Sequence, residues 1–237
     1  MALSGAMLIG MSKAGFSGVT LMSVLIFAQL YGSKNSVGLT LPLLLAADLM
    51  VYPVFRKYGS WRPVWKLLLP ALLGMGFGWW LLGWIGDQTS KQMIGGCVML
   101  MVALQCVRKI NPSLIHAWVH VPGVGVLFGS IGGVATMVAN AAGPVIQCYL
   151  MAKSIPKLEL VGIGARFFLL INLIKIPINS RLALIDQASL IENAKLLPGV
   201  LVGIFVGRYL VKRVPQGAFE WVVMVLSTLA GLRLLWN

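Results

Sequence analysis

The chain alternates long apolar runs with short polar punctuation from end to end. Six runs, roughly 36–55, 63–85, 92–107, 158–178, 196–212 and 217–236, suit membrane-spanning helices, which need about 20 mostly apolar residues. Two further apolar stretches, about 1–30 and 121–150, are longer but interrupted. The first breaks at Ser12-Lys13-Ala14-Gly15-Phe16-Ser17-Gly18, the second across Gly129 to Pro144. This pattern predicts an all-α, polytopic membrane helix bundle.

The plan repeats. Asp48-Leu-Met-Val-Tyr-Pro53 matches Asn172-Leu-Ile-Lys-Ile-Pro177 at an offset of 124, and Val37-Gly38 matches Val161-Gly162 at the same offset. Lys66-Leu-Leu-Leu-Pro70 and Lys195-Leu-Leu-Pro198 continue the match at about 128. Residues 1–110 and 121–237 therefore read as two four-segment membrane repeats joined by a connection at 111–120. Each begins with an interrupted segment and continues through three helices. Repeats that carry paired interrupted segments point to a transporter binding site.

Loop charge indicates how the halves are oriented. If each interrupted segment is a re-entrant hairpin, Arg56, Lys57, Arg62, Lys66, Arg108, Lys109, Lys153, Lys157, Arg208, Lys212 and Arg213 share one face. Lys34, Lys91, Lys195, Arg181 and Arg233 share the other, a split of 11 against 5. Full spans would weaken the split to 9 against 7. The excess of cations on cytoplasmic loops favours hairpins, and hence two inverted repeats. Irregular backbone at membrane depth survives only inside protein or beside a water-filled cavity. Two hairpin tips meeting near the midplane would offer backbone N–H groups and half-helix N-termini to an anion.

Composition agrees. Apolar residues make up 59% of the chain and charged residues 11%, with a mean hydropathy of +0.90; soluble domains carry about 25% charged residues. The runs leave no room for a separate soluble domain. The formal charge of +13 sits mostly in short loops, so it reads as orientation signal and lipid-headgroup contact rather than a nucleic-acid surface. The first segment has no charged leader, so it is expected to stay in place as membrane structure. Cys97, Cys106 and Cys148 fall in apolar segments with no paired spacing and read as small packing residues. His116 and His120 stand four apart in the connection, but no third ligand lies near, so this segment reads as an interfacial aromatic stretch with Trp118. No metal or cofactor is expected.

The charges inside apolar runs carry the candidate chemistry, because an intramembrane charge is costly unless paired or hydrated. Lys13 in the first break is a candidate substrate contact, against an ion-pair or headgroup role. Arg166 and Lys175 are nine residues apart and so project to nearly opposite sides of one helix. Arg166 has a fork suited to an oxygen pair; Lys175, near a helix end beside Pro177, could bind substrate or snorkel. Asp48 would lose its charge if buried alone, but could pair with Lys13 or Arg166 as counter-ion, or carry protons. Asn172, its repeat mate, is a neutral group that could bond substrate. Asn140 at the second tip can donate to an anion or cap a helix, and Thr136 and Ser17 offer hydroxyls at equivalent depths.

Several motifs carry a resemblance. Thr136-Met-Val-Ala-Asn140-Ala-Ala-Gly-Pro144, with Tyr149-Leu-Met-Ala-Lys153, Pro156-Lys157, Val161-Gly-Ile-Gly-Ala165, Phe168 and Asn172-Leu-Ile-Lys175-Ile-Pro177, resembles the sulfite exporter TauE/SafE family of anion permeases. Gly10-Met-Ser-Lys13-Ala-Gly15-Phe-Ser-Gly18 is similar to that family's other motif, and the resemblance covers essentially the whole chain. Two features depart from it. The chain starts close to its first motif, so either the leading half-helix is short or the sequence is trimmed ahead of it, and Arg166 stands where the resemblance leads one to expect an aromatic residue. The resemblance implies export of sulfite or a small sulfonate such as sulfoacetate by a multi-pass protein of a bacterial inner-membrane type of cell membrane.

No phosphate-binding loop for nucleotide is present, so an ion gradient or the membrane potential would drive transport, with protons as one coupling ion. A passive anion facilitator is the alternative. An intramembrane enzyme lacks the required nucleophile–base or metal set, and a sensor lacks an output domain.

Overall fold

The computed structural model describes residues 1–15, 19–182, 184–210 and scattered positions from 221 to 236. Among the described residues the regular structure is helical throughout. The order is α1 (Ala2–Lys13), α2 (Val19–Tyr31), α3 (Ser33–Phe55), α4 (Trp61–Trp84), α5 (Asp87–Ile110), α6 (Pro112–Val119), α7 (Val124–Ala139), α8 (Ala142–Ala152), α9 (Lys157–Arg181) and α10 (Gln187–Leu210). Five of these, α3, α4, α5, α9 and α10, are long and apolar enough to cross a membrane. The protein is thus a polytopic helical bundle. The run at 217–236 lies mostly outside the described residues.

Two spans begin earlier than their apolar runs. α10 starts at Gln187 because Asp186 and Ser189 exchange caps: Ser189 N–H donates to Asp186 Oδ1 at 2.7 Å and Asp186 N–H to Ser189 Oγ at 3.0 Å. That reciprocal arrangement satisfies end-of-helix N–H groups regardless of the polar side chains that follow. α5 likewise carries a polar first turn, Asp87-Gln88-Thr89-Ser90-Lys91. The connection expected at 111–120 as a loop is largely the short helix α6.

Each interrupted stretch is a pair of short helices, of 12 and 13 residues for α1 and α2 and of 16 and 11 for α7 and α8. None reaches the length of a full crossing. The second break is much narrower than its glycines suggest. α7 runs unbroken through Gly129, Gly132 and Gly133 and stops at Asn140, whose φ of 51° is left-handed. Asn tolerates that conformation, and Pro144 then sits in the first turn of α8, where its missing N–H does no harm. The glycines serve packing instead. A β-carbon added at Gly133 would stand 2.0 Å from the Ala71 carbonyl oxygen, and one at Gly129 2.8 Å from that of Leu67. Small residues let helix backbones touch.

The halves are interwoven by these contacts. α7 packs along α4, α1 along α10, and α3 along α9. A β-carbon at Gly10 would meet Val200 O at 2.1 Å, as one at Gly133 would meet Ala71 O at 2.0 Å; one at Gly203 would meet Met7 O and one at Gly74 would meet Ser130 O, both at 2.0 Å. Where α3 and α9 cross, Gly38 lies against Leu184 O and Gly162 against Tyr58 O, at 2.0 and 2.2 Å for an added β-carbon. The start of each helix therefore meets the turn that follows the other, and the two run antiparallel.

Outside the bundle, α4 exposes Trp61, Trp65, Leu69, Leu73, Phe77, Trp80 and Trp84. Their three- and four-residue spacing makes one apolar stripe, with Trp at both helix ends, as a lipid-facing helix requires. Inside, the buried polar residues include Asp48, Arg166, Asn172 and Lys175.

Candidate functional site

The two helix breaks meet at one cavity. Its lining includes Ser12, Lys13 and Gly15 from the first break, Thr20 from α2, and Thr136, Asn140, Gly143 and Gln147 from the second break and α8. α3 contributes Leu44, Asp48 and Val51, and α9 contributes Leu160, Val161, Gly164, Ala165, Phe168 and Asn172. The interior is about 50 Å³, enough for roughly four waters or one small oxyanion. The cavity reaches to within about one turn of the C-terminal end of α3 and the N-terminal end of α9. Toward the other face it stops at Thr136 and Asn140.

Lys13, in the last turn of α1, places its Nζ 2.6 Å from Asp48 Oδ1 and 4.4 Å from the centre of the Phe168 ring. Its side chain is 11% exposed against 1% for Asp48. Asn172 Nδ2 donates to Asp48 Oδ2 at 2.6 Å. The carboxylate thus binds one cation and one amide, while the ring face attracts the ammonium without competing for its protons. Of the two partners that the sequence leaves open for Asp48, the structure selects Lys13.

The second break is held from α9. Lys175 Nζ donates to the Thr136 carbonyl at 2.5 Å, to Thr136 Oγ1 at 3.3 Å and to Asn140 Oδ1. Asn140 Nδ2 donates to Val37 O at 2.9 Å and to Thr40 Oγ1 at 2.7 Å, and Thr40 passes its proton to Ser36 O at 2.7 Å. Lys175 is fully buried and turns its ammonium to the end of α7 rather than out toward a membrane surface, so the snorkelling reading is corrected. The partial negative charge at the carbonyl end of α7, where Thr136 O also accepts the Asn140 N–H at 3.0 Å and no basic residue lies in the last turn, draws the ammonium inward.

Both tips share one electrostatic plan. The carbonyl ends of α1 and α7 carry partial negative charge, and each is matched by a lysine, Lys13 or Lys175. The amide ends of α2 and α8 open at the cavity, where Thr20 and Gly143 line it. Their partial positive charge is left facing the interior, the arrangement that binds anions.

Arg166 is elsewhere. Its guanidinium donates to Tyr58 O at 2.6 Å, to Gly162 O at 3.2 Å and to Arg56 O, and it lies 5.2 Å from the Trp61 ring centre. It ties α9 to the carbonyls that end α3 and does not line the cavity. It and Lys175 point apart, as nine residues of helix demand. The structure brings Lys13, Asp48, Thr136, Asn140 and Asn172 together at the cavity and sets Lys175 directly behind its wall. Ser17 lies outside the described residues.

Thr40, Gln147 and Phe168 were not singled out as site residues by the sequence. Thr40 had a usable signal: Ser36, Thr40, Leu44 and Asp48 are spaced four apart, a polar-leaning stripe leading to Asp48 on one helix face. Gln147, a lone amide one turn after Pro144, was similarly legible. Among the described residues no group of three or more His, Cys, Asp or Glu could hold a metal ion.

The chain matches the family described as Sulfite exporter TauE/SafE over residues 2–234. No curated protein and no solved structure matches it.

Proposed function

The chain belongs to the sulfite exporter TauE/SafE family, and from that membership we propose that it is a secondary transporter exporting a small sulfur oxyanion, sulfite or an organosulfonate, by alternating access at the cavity between its helix breaks. The observation that carries this reading is the cavity itself: a buried pocket where Lys13 and two half-helix amide ends converge. Lys13, Thr136, Asn140 and Asn172 are the proposed substrate contacts, and Asp48 is the counter-ion that fixes Lys13.

Alternating access rests on a two-fold design. Residues 1–110 and 121–237 are read as inverted repeats, each opening with a re-entrant pair, α1–α2 or α7–α8. Three features support this. The glycine contacts recur between halves: Met7, Met11 and Ala14 have the roles of Ser130, Val134 and Met137, each 123 residues on, against Gly203 and Gly207 in one case and Gly74 and Gly78 in the other. Asp48 bonds Asn172, its own mate at the repeat offset of 124, so the contact lies on the axis that relates the halves. That axis exchanges α3 with α9, which are antiparallel, and it therefore lies across the helices, in the membrane plane. The cavity extends toward the face where Arg56 and Lys57 follow α3, which the loop charges make cytoplasmic. The described conformation is then inward-facing in a bacterial inner-membrane type of cell membrane.

In proteoliposomes loaded with sulfite, sulfate, sulfoacetate, taurine or thiosulfate, sulfite or a sulfonate is expected to leave fastest. Equal flux of all five, or none, would overturn the reading. Flux indifferent to an imposed pH gradient, with Asp48→Asn fully active, would replace coupled export by passive facilitation.

Arg166 supplies a contrasting prediction. Arg166→Met leaves the carbonyls of Arg56 and Tyr58 without their donor and should destabilise by about 2–4 kcal/mol, read as a lower melting temperature. The order of preference among anions should not change. An altered order at unchanged melting temperature would return Arg166 to the substrate site.

A further inference from the structure

The charges around the cavity do not cancel. Lys13 and Asp48 sum to zero. Lys175 meets three neutral oxygens and, among the described residues, no carboxylate, whereas Lys13 has Asp48. The amide of Asn140 is oriented by its donation to Val37 O and Thr40 Oγ1, so it turns its oxygen to Lys175. Together with the two Thr136 oxygens, that gives three acceptors for the three protons of an ammonium. A fully buried ammonium without a counter-charge is unfavourable, and the carbonyl end of α7 offsets only part of it.

The two residues that bind Lys175, Thr136 and Asn140, also line the cavity. The uncompensated charge therefore stands one residue behind the wall. We propose that Lys175 is a positioning residue which, acting through Thr136 and Asn140, sets the cavity to prefer a substrate of one net negative charge over a dianion of similar size. A monoanion brings the group to neutrality. A dianion leaves a buried negative charge with no partner. Resting on the anion-export reading above, this narrows its substrates to simple sulfonates and hydrogensulfite, and away from sulfate and sulfoacetate, which carry two charges.

The test uses the full chain in nanodiscs and proteoliposomes at constant ionic strength, with methanesulfonate and sulfate as probes. Wild type is expected to gain melting temperature with methanesulfonate at concentrations at least about tenfold below those needed with sulfate, and to transport the two in the same order. Lys175→Gln should melt at or above the anion-free wild type, because an uncompensated buried charge has gone. It should also lose its response to methanesulfonate by about tenfold or more. A lysine with a purely structural role would instead melt lower and keep the preference. The wild-type comparison stands even if the variant fails to fold. A wild type that prefers sulfate, or a Lys175→Gln that keeps the methanesulfonate preference, overturns the proposal while leaving anion export intact. A wild type that moves neither sulfite nor any sulfonate overturns the export reading and this inference with it.

Discussion

Lys13→Ala is expected to abolish anion efflux, by at least about a hundredfold, and to lower the melting temperature on the order of 10 °C. Two separate effects combine. Asp48 is 1% exposed, and Lys13 is its charged partner at 2.6 Å. Removing one member of a buried pair leaves an uncompensated charge, worth about 3–5 kcal/mol, and at this chain length each kcal/mol moves the melting temperature by about 2–4 °C. The loss of transport has a different source. Lys13 brings the one ammonium that lines the cavity among the described residues, and a charge-assisted contact with an oxyanion is worth about 1.5–3 kcal/mol; two such contacts account for a hundredfold.

The double variant Lys13→Gln with Asp48→Asn separates them. Both charges go, and the amides keep a hydrogen-bonded chain to Asn172, so stability should return to within about 1 kcal/mol of wild type. Efflux should stay at background. A double variant that transports at the wild-type rate would make Lys13 a structural ion only, and a Lys13→Ala that melts like wild type would remove the pair from the core.

The long spans were legible because lipid and bundle interior impose the same demand, an unbroken apolar run. Their ends were not, since the caps that start α10, Asp186 and Ser189, are polar residues outside any hydrophobic count. The second break was placed too broadly for a physical reason. Gly129, Gly132 and Gly133 look like helix breakers in isolation, but a membrane helix uses glycine to approach its neighbour. The feature that ends α7 is the single left-handed Asn140.

Intramembrane charge identified Lys13, Asp48 and Lys175 as residues of consequence without saying what each touches. Spacing along α9 could separate Arg166 from Lys175, but it could not tell which one stands behind the cavity wall. That depends on α7 packing along α4, a contact between halves that no local pattern encodes. The arginine, the better oxyanion ligand by chemistry alone, is drawn to backbone carbonyls at the end of α3.

The close helix contacts should be the least forgiving positions in the chain. Gly133→Ala and Gly203→Ala each put a β-carbon 2.0 Å from a backbone carbonyl oxygen, that of Ala71 or of Met7. Carbon and oxygen settle no closer than about 3.3 Å, so the paired helices must move apart along their whole shared face. Rigid backbone on both sides leaves no side chain to rotate away. Each substitution should destabilise by about 3 kcal/mol, the upper end for overpacking, and the two together should prevent recovery of a monodisperse protein. Gly76, on the outer side of α4, has nothing within 4 Å of an added β-carbon; Gly76→Ala should be neutral or stabilising by up to about 1 kcal/mol, from helix propensity alone. The proposed equivalence of the halves makes a stricter demand on thermal melts of the single variants. Gly10→Ala should match Gly133→Ala, and Gly74→Ala should match Gly203→Ala, because each pair occupies the same place in its half. A Gly133→Ala protein as stable as Gly76→Ala would refute the packing of α7 on α4. Matched destabilisation in one pair and a wide disparity in the other would refute the two-fold relation while leaving the bundle standing.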